Sequence, residues 1–97
     1  MREITPESLP RPVLEFTYAT GILIADIRKR KGMTQKELAE VSGIGRNTLV
    51  EIEKGSPKVQ MAHWLSVLYQ LDLLRFISSW PGLELAQLLD KKGQKKA

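Results

Sequence analysis

The feature that most constrains this chain is the stretch from residue 34 to 55, TQKELAEVSGIGRNTLVEIEKG, in which two short helical patterns flank a glycine. Thr34 followed three positions later by Glu37 is a capping box, where hydroxyl and carboxylate each satisfy a free backbone N–H at a helix start. A helix is therefore expected from about Gln35 to Val41 or Ser42. Gly43 supplies the positive-φ conformation that a close reversal requires, and Ile44 is expected to plug the turn into the core. A second helix follows from about Arg46 to Lys54, stopped by Gly55, Ser56 and Pro57. Leu38, Ala39, Ile44, Leu49 and Ile52 are spaced to build one shared apolar seam.

Periodicity also defines what that second helix turns outward. Leu49 and Ile52 point to the seam, so Arg46, Asn47, Val50, Glu51 and Lys54 share the opposite side. An α-helix fits the major groove of B-DNA, and this stripe carries suitable chemistry for it. Arg46 matches guanine O6 and N7, Asn47 matches adenine N6 and N7, and Val50 suits a thymine methyl. Glu51 is either an acceptor for cytosine N4 or a solvated acid, and Lys54 either a contact residue or a complement to the helix C-terminus. Thr34, Gln35 and Lys36, at the start of the preceding helix, are placed to meet a phosphate, and Thr48 completes the candidate DNA-contact set.

Around this core the chain reads as all-α. Residues 1–12 hold Pro6, Pro10 and Pro12 and form an irregular arm. A helix follows from Val13, weakened at first by Thr17, Thr20 and Gly21 and firmer from Ile22 to Lys31, where Ile24, Ile27 and Arg28 share a face. Its terminal run, Arg28, Lys29, Arg30 and Lys31 before Gly32, serves either the helix dipole or a phosphate backbone. Met61, Trp64, Leu65, Val67, Leu68 and Leu71 mark another amphipathic helix over residues 60–70. Leu73, Leu74, Phe76, Ile77 and Trp80 then form an apolar segment that is either a dimer or partner interface or added core. Residues 83–90 are expected to add one last short helix before a basic tail at 91–97.

Composition excludes more than it assigns. The chain has 97 residues, no cysteine and one histidine, His63. Thiolate metal sites, cysteine nucleophiles and multi-histidine sites are thereby removed, and with no phosphate-cradling glycine loop there is no constellation for an enzyme, a cofactor or a metal. No apolar run reaches the roughly 18 residues of a membrane span, and no signal peptide is expected. The net charge of +4 is not a global basic field. Lys91, Lys92, Lys95 and Lys96 account for it, leaving eleven basic against eleven acidic side chains in residues 1–90. A DNA contact must therefore come from placement rather than total charge.

These residues carry a resemblance. Ile27-Arg28 ahead of residues 31–39 (KGMTQKELA), then Gly43-Ile44, Thr48-Leu49 and residues 52–55 (IEKG), resemble the helix-turn-helix domain of the Cro/CI or Xre family of repressors. The resemblance implies a compact five-helix, lambda-repressor-like DNA-binding domain over residues 13–74, with a C-terminal extension at 75–90. It implies phosphate contact by Gln35, base contact by Arg46, Asn47, Val50 and Glu51, and a structural ion pair between Arg28 and Glu53. Spacing agrees with the pair, since Glu53 follows Leu49 by four and Arg28 follows Ile24 by four, which places both charges beside the seam. Gly45 departs from the family's usual capping serine, and Glu51 from its usual basic or amide residue. Residues 53–59 with Trp64-Leu65-Ser66-Val67-Leu68 and Leu71 to Leu74 are similar to the HipB-like branch, antitoxins that repress their own operon and bind a HipA-type kinase toxin. The function so implied is a cytoplasmic, homodimeric repressor on a palindromic double-stranded operator; the competing reading is a protein-interaction module with DNA binding secondary.

Overall fold

The computed structural model describes residues 6–77, and within them the chain is all-helical. A 3-10 turn, Pro6–Ser8, leads into α1 (Arg11–Arg30), followed by α2 (Gln35–Ser42), α3 (Arg46–Glu53) and α4 (Met61–Gln70), with a closing 3-10 turn at Leu74–Ile77. The expected count of five helices is not met among the described residues, which hold four α-helices and no strand. After α4 the chain reverses through Asp72, at φ 61°, and within the described residues makes a 3-10 turn. Residues 83–90, where the last helix was expected, lie outside the described residues, as does the basic tail.

The first helix is longer than its composition suggests. It starts at Arg11, not Val13, because Pro10 takes the N-cap position and Pro12 falls in the first turn, where a missing N–H costs nothing. Thr17 and Thr20 do not interrupt it: their hydroxyls donate to the carbonyls of Leu14 and Phe16 at 3.1 and 2.7 Å. Gly21 is there for proximity. A Cβ at that position would run into the Ile52 carbonyl oxygen and stand 2.9 Å from that of Glu53. On the other side of the crossing Gly55, at φ +83°, lies so close that its own Cβ would sit 2.6 Å from the Tyr18 Cα. The middle of α1 thus rests directly on the backbone at the end of α3.

The basic run at the end of α1 divides. Arg28 turns inward and is buried, Arg30 pairs with Asp26 at 2.9 Å on the surface, and Gly32, at φ +73°, ends the helix. Ile24, Leu38, Ala39, Leu49, Ile52, Val67 and Leu71 make the core, with Ile44, Trp64, Leu68 and Leu73 packed against it. The seam expected in α2 and α3 is therefore the centre of the described part, and Leu73 packs partly buried against it. Met61 departs from expectation. As the first residue of α4 it projects into solvent at 67% exposure, while Val67 and Leu71, further along, are buried.

Replacing Gly21 by alanine should destabilise the fold by about 2–3 kcal/mol, because the obstruction is backbone and no side chain can move aside. Thermal unfolding followed by circular dichroism should show a clear loss, at about 4–8 °C per kcal/mol for a domain of this size.

Candidate nucleic-acid interface

The start of α2 is locked by its own side chains. Thr34 Oγ1 accepts from the Glu37 N–H at 3.0 Å, and Glu37 Oε1 accepts from the Thr34 N–H at 2.8 Å. Gln35 is the first residue of the helix so fixed, with Lys36 exposed beside it. At the other end Gly43 adopts φ 73° and ψ 27°, and the Ile44 N–H donates to the Ala39 carbonyl at 3.0 Å. This turn delivers the chain into α3 with its apolar edge against the core.

Beneath the junction of the three helices lies the Arg28–Glu53 pair. Arg28 Nε and Nη2 reach Glu53 Oε2 and Oε1 at 2.7 and 3.1 Å, and Nη1 donates to the Met33 carbonyl at 2.9 Å. The two side chains are only 10% and 8% exposed. A two-bonded guanidinium–carboxylate contact fixes angle as well as distance, so α1 and α3 are joined in one orientation. The same carboxylate also serves the surface. Gln35 Nε2 donates to Glu53 Oε1 at 2.9 Å, and Arg46 Nη2 lies 3.5 Å from Gln35 Oε1. A chain of polar contacts thus runs from the buried pair through Gln35 to the first residue of α3.

Arg46, Asn47, Glu51 and Lys54 are exposed along α3, while Thr48 and Val50 are partly buried at its margins. Gly45 caps the helix with φ −74° and ψ 153° and contributes no side-chain hydrogen bond. Glu51 and Lys54 approach each other at 3.9 Å, a surface contact of little energetic weight. The stripe forms one wall of an open cleft of about 350 Å3, lined by Asn47, Thr48 and Glu51. Lys58, Val59, Gln60 and His63 line the opposite wall. These four were not expected at the site. In the sequence the segment before them reads only as a helix stop, and its return past α3 depends on the Gly55 turn.

Leu74 is half-buried after α4, Trp80 lies outside the described residues, and so do the side chains of Phe76 and Ile77. The expected interface from Leu73 to Trp80 therefore falls for the most part beyond what is described. Among the described residues no group of three or more histidine, cysteine or acidic side chains is placed to hold a metal ion, and no helix is long and apolar enough to cross a membrane.

The helix-turn-helix family model matches residues 24–74, from the core face of α1 to the end of α4 and the turn after it. The chain belongs to the Xre/Cro-CI type helix-turn-helix family. It is 39% identical over 51 residues to an uncharacterised HTH-type transcriptional regulator, y4mF, from Sinorhizobium fredii, covering 53% of this chain and 67% of that protein. It is 49% identical over 43 residues to an uncharacterised HTH-type transcriptional regulator from Methanothermobacter thermautotrophicus, covering 42% of this chain and 62% of the relative. The helix-turn-helix region, not the first half of α1, is what the family model covers.

Removing one member of the buried pair strands the other, so Glu53→Ala should cost about 3–5 kcal/mol. Arg46→Ala, which removes only an exposed side chain, should stay within about 0.5 kcal/mol of the parent. Urea unfolding of the two variants beside the parent chain measures the contrast.

Proposed function

We propose that this chain is a sequence-specific repressor that inserts α3 into the major groove of double-stranded DNA. The observation that carries this reading is the exposed Arg46, Asn47 and Glu51 stripe, held in a single orientation by a buried ion pair two contacts away. Family membership and the names of both relatives support a DNA-binding regulator. In this role Arg46 and Asn47 contact base edges with Val50 and Thr48 beside them, while Gln35, Lys36 and the Thr34 turn face the phosphate backbone. The protein acts in the cytoplasm, without a cofactor and without catalysis.

The reading extends to assembly and partner. An α3 of eight residues is about 12 Å long and reaches only a few base pairs. Two copies about a two-fold axis read half-sites roughly one helical turn apart, so the operator is palindromic and the functional form a homodimer. Similarity of residues 53–59 and of the α4 region to the HipB-like branch supports an autoregulatory antitoxin paired with a HipA-like kinase toxin.

A second reading rests on a separate observation. Val13, Phe16 and Leu23 share one side of α1 and are 42%, 67% and 46% exposed. An apolar outward stripe of this kind suits a protein partner, and in that reading the main role is to hold a toxin or another protein, with DNA binding secondary.

Selection of duplexes from a random pool should enrich one palindromic site. Arg46→Ala and Asn47→Ala should each weaken binding to it by about 1–3 kcal/mol, while binding to scrambled DNA changes little. Sedimentation should show a dimer at micromolar concentration; a monomer with and without the selected duplex removes the dimer. Failure of any duplex to bind specifically at moderate salt leaves the interaction module as the function.

A further inference from the structure

A second cleft adjoins the first and has no part in the function as described. It lies between the first turns of α1 and the segment that follows α3, with a volume of about 600 Å3. Arg11, Glu15 and Tyr18 line it from α1, and Lys54 and Lys58 from the facing segment. Lys58 borders both clefts, so it stands between the Asn47 and Glu51 side of α3 and the Arg11 end of α1.

Arg11 stands at the end of α1 where the helix dipole disfavours a cation. α1 opens with this residue and has no acidic residue in its first turn, which sets a cation at the positive end of the helix dipole. Across the cleft stand the two lysines, and all three basic side chains are exposed. The carboxylate that lines the cleft, Glu15, pairs with Arg11 at 2.9 Å, with side-chain exposures of 64% for Glu15 and 88% for Arg11. Such a surface pair contributes little, and a phosphate can take the place of the carboxylate on the guanidinium.

We propose that this cleft grips the sugar-phosphate backbone of the same duplex that α3 reads, with Arg11 on one wall and Lys58 on the other adding one or two phosphate contacts outside the groove. The inference rests on the DNA-reading function above. α1 crosses the end of α3 at Gly21 and Gly55, and the ten residues from Gly21 back to Arg11 span about 15 Å of helix. That length carries Arg11 past the crossing, to the far wall of the cleft from the segment that follows α3. Residues 11–23 precede the stretch that the family model matches, so the Arg11 contact is an addition made by the first half of this chain's own α1.

The test uses the full chain, the duplex selected from a random pool and a scrambled duplex, titrated by fluorescence anisotropy between about 50 and 200 mM salt. Arg11→Gln should reduce the slope of log K against log salt by about 1 on both duplexes, with the ratio of the two affinities unchanged. Adding Lys58→Gln should bring the total reduction to about 2. Glu15→Gln should tighten binding several-fold at low salt, a gain that loss of folding cannot produce. An unchanged slope in Arg11→Gln overturns the proposal. Arg46→Ala tests the parent reading separately, through loss of preference for the selected duplex. Preference in the parent chain with an unaltered slope in Arg11→Gln removes the cleft alone; absence of any preferred duplex removes the reading function and this inference with it.

Discussion

The arrangement of this domain depends on one buried contact, the bidentate pairing of Arg28 with Glu53. It joins the last turn of α1 to the last residue of α3, and through Arg28 Nη1 it also captures the Met33 carbonyl just before α2 begins. Three segments therefore meet on one guanidinium. A hydrophobic pair of similar volume would stabilise the fold as well or better, but it would not define an angle. What the ion pair adds is orientation of α3.

Glu53 has a second duty that links the interior to the exposed face of α2 and α3. Its Oε1 receives both Arg28 and Gln35, so the amide of Gln35 is held before any ligand arrives, and Arg46 leans on that amide from the exposed side. Side chains ordered in advance lose less freedom on binding. The exposed Asn47 and Glu51, one turn apart on the same face, lack this support. A polar network that is rigid at its root and open at its tip divides positioning from recognition.

Much of this was legible in residues 34–55. The capping box, the Gly43 reversal and the apolar seam are local rules of sequence, and each corresponds to a feature of the structure: the Thr34–Glu37 exchange, the left-handed Gly43, and the buried Leu38, Ala39, Leu49 and Ile52. Arg28 and Glu53 were legible as neighbours of the seam. What was not legible came from contacts between distant segments. The link from Glu53 to Gln35 spans eighteen positions, and no periodicity encodes it. Gly21 looked like a weak point in a helix, whereas it is the place where two backbones touch. Met61 fitted an apolar repeat but stands at the free end of α4, where repeat position does not decide burial. The helix expected at residues 83–90 lies beyond the described part of the chain.

The crossing of α1 and α3 has a consequence for how this protein can change. At most packing contacts a larger residue on one side is accommodated by a smaller one on the other, so paired substitutions explore new sequences at little cost. Gly21 faces carbonyl oxygens and Gly55 faces the Tyr18 backbone, and neither neighbour has anything to give up. No second-site change at the contact can compensate for a side chain there. The outward face of α3 meets no such restraint, since Arg46, Asn47 and Glu51 pack against nothing in the core. Variation is channelled to the outward face of α3 and withheld from the joint that holds it.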